Sequence, residues 1–305
     1  MMRYGIIGAG AIGAYFGAKL VQAGIDVHFL FHSDYDVVRG QGLQINSVNG
    51  DFHLDKVNAY RRAQDMPVCD VVIVALKSTQ QHVLPTLLPP LLGHDTLVLL
   101  IQNGIGLEAD FAERFPGVSV AAGLAFIGST KTRPGVIDHQ DLGSLTVGNY
   151  NCKDQARVAA MIADFNRAGV PAQEADYAKA RWKKAIWNMC FNGLTVALDT
   201  TVDQLLACAS TANLCHELML EVIRGAQACG VETLTEAHAD RMLEMTRGMK
   251  PYSPSMKVDF DHHRSMEIEY IYSRPIREAS LHGYDMRMMR MLEAQLRFIS
   301  KQEGL

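Results

Sequence analysis

Three glycines in Gly8-Ala9-Gly10-Ala11-Ile12-Gly13 follow the short apolar run Tyr4-Gly5-Ile6-Ile7. This spacing suits a diphosphate. The first glycine permits a tight turn, the second lets the backbone approach the anion without a Cβ clash, and the third lets a helix pack closely on a strand. Exposed N–H groups and the dipole at the start of that helix add attraction for negative charge. Further along, Lys184, Asn188 and Asn192 recur at i, i+4 and i+8, on one face of a helix. Such a stripe would hold a polar ligand or face solvent. The neighbouring Lys183 and Trp187 are no more apolar, so periodicity leaves both readings open. Asn103 follows the apolar run Leu97–Ile101 and precedes Gly104. Ligands of open parallel sheets lie beyond the carboxyl ends of strands, although an Asn-Gly pair also makes an ordinary turn.

Two other chemistries are weaker. His263 and Glu267 stand four residues apart with His262 beside them, but no third ligand is evident, so no metal site is expected. The six cysteines, Cys69, Cys152, Cys190, Cys208, Cys215 and Cys229, include no C-x-x-C pair and no recognisable Cys/His setting for a nucleophile. They are read as reduced, mostly buried thiols of a cytoplasmic protein.

The elements that must position these residues follow from the pattern of apolar positions. Ile12, Tyr15, Phe16, Leu20 and Val21 have helical spacing until Gly24, and Val27-His28-Phe29-Leu30-Phe31 reads as a second strand. Strand, glycine turn, helix and strand within about 30 residues form the βαβ unit of dinucleotide binding. A hairpin is expected over Gly42–Val57 with Asn49-Gly50 at its turn. Val71–Leu76 and Leu97–Ile101 are continuous apolar runs, as strands buried on both faces require. Shorter strands are expected at Val118–Phe126, Val136–His139 and Ser144–Val147, and a helix from Asp154 to Arg167. From Asp176 onward helical periods take over, most clearly in Ala178–Asn192, Leu214–Cys229 and Asp285–Ser300, the last with a methionine cluster suited to core and interface filling.

The expected architecture is an α/β Rossmann-type dinucleotide-binding domain over 1–175 followed by an all-helical substrate-binding and dimerisation domain over 176–305. The ligand site is expected in the cleft between them. The chain has 305 residues, 48% hydrophobic and 20% charged, which fits globular domains. Its net charge of −4 gives no basic excess for nucleic acid. No apolar run approaches the ~18 residues of a membrane span.

At the end of the second strand an NAD site usually offers an acid to the ribose hydroxyls, about 20 residues after the glycines. Here stand His32 and Ser33, with Asp34 next. The missing acid favours NADP, although a small shift of the turn would bring Asp34 into play.

Beyond the glycine loop runs an ordered series of motifs: Ala75-Leu76-Lys77, Gln102-Asn103-Gly104, Trp182-Lys183-Lys184 with Asn188 and Asn192, Ser253-Pro254-Ser255-Met256 with Asp259, and Glu267-Ile268-Glu269-Tyr270-Ile271. Over essentially the whole chain this set resembles the ketopantoate reductase (2-dehydropantoate 2-reductase) family. The resemblance implies NADPH-dependent reduction of a 2-oxo acid, ketopantoate, to (R)-pantoate on the route to coenzyme A. It implies Lys184 as the catalytic proton donor, and Asn103, Asn188, Asn192, Ser255 and Glu267 as substrate ligands. It places Gly8, Ala9, Gly10, Ala11, Ile12, Gly13, His32, Lys77, Asn103 and Glu267 at the cofactor, NADP(H). A homodimer is the implied assembly. Two positions depart from the family pattern: His32 replaces a common Arg, and Gly193 stands where Pro is usual.

Hydride addition to a ketone develops an alkoxide that needs charge stabilisation and a proton, and the Lys184 ammonium would supply both. On a bland reading Lys183 and Lys184 are two solvated helix lysines. Glu267 would accept from a substrate hydroxyl or pair with Arg264 or Arg274, with Glu269 as the competing acid. The alternatives are a reductase of another 2-oxo acid and a nucleotide-binding regulator without turnover.

Overall fold

A computed structural model describes residues 2–305. It divides into two units. The first comprises 2–102 and 107–177, and the second comprises 103–106 and 178–305.

The first unit opens with β1 (Arg3–Ile7), α1 (Ala11–Gln22), β2 (Asp26–Leu30), α2 (Tyr35–Gln41), β3 (Leu43–Ser47), β4 (Phe52–Leu54), β5 (Asn58–Tyr60) and β6 (Cys69–Val74). It continues with α3 (Leu84–Leu87), β7 (Leu92–Leu100), α4 (Leu107–Arg114), β8 (Ser119–Arg133), β9 (Val136–Asn149), α5 (Gln155–Arg167) and β10 (Ala172–Ala175). The strands form one sheet in the order β4-β3-β9-β8-β7-β6-β1-β2-β5, with β10 pairing β9. Only β3/β4 and β8/β9 pair antiparallel.

Tyr4, Ile6, Ile7, Val71–Val74 and Leu97–Leu100 are all buried, because both faces of the central strands are covered. β1 lies between β2 and β6. The chain therefore leaves β1 toward one side and returns on the other, which is the switch point where such sheets bind ligands. The expected hairpin is present as β3/β4, with Leu43 opposite Leu54.

The expected strands at 118–126, 136–139 and 144–147 are parts of one long hairpin, β8/β9, paired from Ala121↔Asn149 out to Arg133↔Val136. Its outer half, Gly-Ser-Thr-Lys-Thr-Arg, is polar and largely exposed, so no apolar alternation marks it as strand. The backbone ladder and its register shifts carry it instead.

The second unit is helical: α6 (Tyr177–Ala197), α7 (Val202–Ala207), α8 (Ala209–Ala228), α9 (Glu236–Arg247), α10 (Ser255–Asp261), α11 (Arg274–Leu281) and α12 (Arg287–Gln302). α6 is its axis, burying Trp182, Ile186, Met189, Cys190 and Phe191 against Met219 and Val222 of α8 and Leu292 of α12. Gly193 belongs to this packing. A Cβ there would stand 2.5 Å from the Tyr272 hydroxyl and 2.6 Å from Leu292 Cδ2. The same hydroxyl donates to the Met189 carbonyl at 2.8 Å. Gly193 thus makes room for a bonded tyrosine. Glu221, buried in α8, accepts from the N–H groups of Met288 and Met289 at 3.0 and 2.8 Å and so caps the start of α12.

The glycines of the α1 turn divide into packing and open positions. A Cβ on Gly13 would run into the Gly8 carbonyl oxygen and stand 3.1 Å from both Ala75 Cβ and Ile6 Cγ2, whereas one on Gly10 would meet no described atom within 4 Å. Gly13→Ala should therefore lose about 1–3 kcal/mol by overpacking, while Gly10→Ala should melt like the parent. Urea midpoints of the two variants check this, and equal losses would contradict it.

Candidate active site

In the first unit the glycine loop sits at the switch point. Gly8 has φ +91°, and a Cβ there would lie 2.5 Å from Leu76 N and 2.7 Å from the Ala75 carbonyl carbon. The turn is pressed on the end of β6, where Ala75 N–H donates to the Ile7 carbonyl at 2.8 Å. Gly10 caps α1 without any side-chain bond, and no acid stands in the first turn. Open space at Gly10 and a helix start free of competing carboxylate fit the diphosphate of a dinucleotide.

Beside this loop Gln102 is buried. It donates to the Leu76 carbonyl at 2.8 Å and accepts from Gln81 at 2.7 Å, tying the ends of β6 and β7. Lys77 is exposed at the head of the 3-10 turn Ser78–Val83.

At the end of β2, His32 and Ser33 are exposed and Asp34 is buried. The Asp34 carboxylate accepts from Ser33 Oγ at 2.8 Å, Lys131 Nζ at 2.9 Å and Gly135 N–H at 3.3 Å. Burial works against its ionisation, but the bonds from Lys131 and Ser33 prevail and hold its pKa below the ordinary carboxylate value. Its oxygens are already engaged from three sides. No local signal announces these bonds, since Lys131 is 97 residues away.

In the second unit, Lys184 and Asn188 of α6 line a small recess with Arg181, Gly104, Tyr270 and Ile271. Lys183, on the neighbouring stripe, is exposed, and Lys184 is half-buried. The Lys184 pKa falls to about 7, mainly by desolvation and then by the Arg181 charge, with Glu267 pulling the other way. Arg181 is itself buried. It precedes the Trp-Lys-Lys motif, and its charge alone could not single it out among 29 basic residues. Gly104 has φ +117°, with the Tyr270 backbone packed against its Cα. Ile105 N–H donates to the Tyr270 carbonyl at 2.9 Å, fixing the loop that carries Asn103, which is half-buried.

One turn beyond Asn188, buried Asn192 accepts from Met256 N–H at 3.2 Å. This brings it to the start of α10, where Ser255 is the first residue. Asn192 Nδ2 is buried without a hydrogen-bond partner among the described residues, a donor available to a ligand.

Glu267 is buried just before a π-helical turn, Glu269–Ser273. π-turns recur at functional sites, and no composition signal announced this one. The competing acid, Glu269, pairs with Arg277 at 2.8 Å and Arg297 at 3.2 Å on the surface. Arg264 and Arg274 bond Asp259 and Glu278 at 3.0 and 2.8 Å. His263 lies 3.7 Å from Glu303. The structure thus gathers Lys184 and Asn188 in the recess with Glu267 acting on Lys184, and joins Asn192 to the Ser255 helix start. Asn103 adjoins Gly104 of the recess, while the glycine loop, His32 and Lys77 belong to the first unit.

Residues 4–151 match the model for ketopantoate reductase PanE/ApbA, and residues 176–300 match that for its C-terminal part. A 2-dehydropantoate 2-reductase of Nostoc is 43% identical over 97% of this chain and 95% of its own length. The crystal structure of 2-dehydropantoate 2-reductase from Geobacter metallireducens superposes with TM-score 0.94 at 37% identity, covering 97% of this chain and 99% of that one. A dimeric ketopantoate reductase from Staphylococcus aureus has TM-score 0.84 at 25% identity over 99% of this chain and 100% of its own. No described helix is long and apolar enough to cross a membrane. With its dinucleotide loop, its lysine recess and matches spanning both parts of the sequence, the chain belongs to the ketopantoate reductase family of dinucleotide-dependent oxidoreductases.

Proposed function

We propose that the protein reduces ketopantoate to (R)-pantoate with NADPH, and that Lys184 is the proton donor. The observation that carries this reading is the Lys184 ammonium, brought to a pKa of about 7 by burial and Arg181, with Glu267 opposing. A general acid works best when its pKa lies near the working pH. When bound, the dihydronicotinamide supplies a hydride to the keto carbon. Lys184 stabilises the negative charge developing on the keto oxygen and gives it a proton. Desolvation and the neighbouring Arg181 then favour the neutral amine that remains, and water returns the proton after product leaves.

Around this donor, Asn188 and the Nδ2 of Asn192 offer amide donors to the substrate carboxylate, and Ser255 offers a hydroxyl beside Asn192. Glu267 accepts from the substrate hydroxyl. The amide of Asn103 is assigned to the nicotinamide and keto group. On the dinucleotide, the glycine loop takes the diphosphate, His32 is assigned to the 2′-phosphate side, and Lys77 is assigned to the cofactor. We infer further that the protein acts in the cytoplasm and as a homodimer, as the Staphylococcus aureus relative is described. A substrate panel followed by NADPH absorbance tests the assignment. Another 2-oxo acid turned over faster than ketopantoate would replace the substrate, and no turnover with any would leave a nucleotide-binding regulator.

Three outcomes are expected at this site. Lys184→Ala should lower kcat by about 10²–10⁴ with dinucleotide binding retained. A near-silent Lys184→Ala beside a crippling Lys183→Ala would contradict the assignment. The free enzyme's donor loses its proton as pH rises through about 7, so kcat/KM for reduction should fall above that pH and kcat/KM for pantoate oxidation should rise. Parallel pH profiles in the two directions would contradict it. Glu267→Gln and Ser255→Ala should each cost about 1.5–3 kcal/mol in transition-state binding, more for hydroxylated 2-oxo acids than for analogues lacking the hydroxyl. Equal losses on both substrate types would give Glu267 a purely structural part.

A further inference from the structure

The outer half of the β8/β9 hairpin passes two places that matter to a dinucleotide. Ser129 Oγ donates to the Ala11 carbonyl at 3.4 Å, at the start of α1. Two residues on, Lys131 Nζ reaches Asp34 at the end of β2, 2.9 Å from Oδ1 and 3.2 Å from Oδ2. Residues i and i+2 of a strand share a face, and the pairing runs from Ser129 to Lys131 without a register shift. One face of this ribbon therefore spans from the glycine loop to the end of β2. In this fold the diphosphate lies at the first place and the adenosine ribose at the second.

We propose that the Lys131–Asp34 pair sets coenzyme choice, with Lys131 as the cation that meets the ribose 2′-phosphate. The proposal rests on the NADPH reading above and names the residue that would enforce it. An ammonium carries three donors. Asp34 engages two of its directions and leaves the side chain 36% exposed, while Asp34 itself is 5% exposed. The pair does two things at once. It withdraws the Asp34 carboxylate from the ribose hydroxyls, the contact an NAD site requires. It also cancels a negative charge that would repel a phosphate and presents a cation in its place. His32, exposed on the β2 side, would face the same phosphate beside Lys131.

The test is the affinity of the full-length protein for NADP+ and for NAD+, by calorimetry without substrate. Variants are Lys131→Gln, Asp34→Asn and the double variant, each first checked for a parent-like melting temperature. Lys131→Gln should weaken NADP+ binding about 10- to 100-fold, as losing a charged hydrogen bond does, while NAD+ binding is unchanged or tighter. Asp34→Asn should leave NADP+ at least as tight as in the parent, which keeps the proposal testable should Lys131→Gln fold poorly. Equal losses for both dinucleotides in either variant would overturn it, since the pair would then only hold the loop. A parent that prefers NADP+ and a Lys131→Gln protein that keeps the preference would overturn this proposal alone. A parent without NADP+ preference would overturn it together with the NADPH reading.

Discussion

A lysine held in a small recess beside a second, buried cation is the constraint around which the helical unit is organised. Taking an ammonium out of water is costly, and a neighbouring guanidinium makes it more so. A chain selected for stability alone would place an apolar side chain at position 184. The cost is tolerated because α6 is embedded along its length, with Trp182, Ile186, Met189 and Phe191 in the core, and because buried Glu267 returns part of the lost stabilisation. A lysine so placed is uncomfortable when charged, because desolvation and the Arg181 charge both favour its neutral amine.

The first unit solves the complementary problem of presenting backbone to an anion. Its sheet must bring the end of β1 against the end of β6, and only glycine at position 8 allows that approach with φ +91°. The helix that follows starts with unsatisfied N–H groups because Gly10 supplies no side chain to cap it. Gln102 then ties the β6 and β7 ends at the rim of the loop. Ties of that kind let binding energy go into orientation rather than ordering.

Much of this was legible in the sequence because it is local. The βαβ unit is written in the Gly8–Gly13 spacing and the apolar runs around it, and the long helices in their periodicity. In the sequence only motif resemblance separates Lys184 from Lys183; in the fold Lys184 is half-buried and Lys183 exposed. What could not be read is long-range. The bonds of Asp34 to Lys131, of Asn192 to Met256 and of Glu221 to the start of α12 join residues 97, 64 and 67–68 apart. Arg181 is one charged residue among many until the fold buries it. The π-helical turn at Glu269–Ser273 and the polar outer ribbon of β8 have no periodic signature, since tertiary pairing and not apolar alternation holds them.

The most direct measurement is the titration of the Lys184 ammonium itself, followed by heteronuclear NMR of 13C-labelled lysine Cε, with Lys184→Arg to assign the signal. Titration near pH 7, unchanged in Glu269→Gln but displaced downward in Glu267→Gln, is the expected result. An ordinary lysine value of 10.5, unchanged in Glu267→Gln, would contradict a buried proton donor at this site.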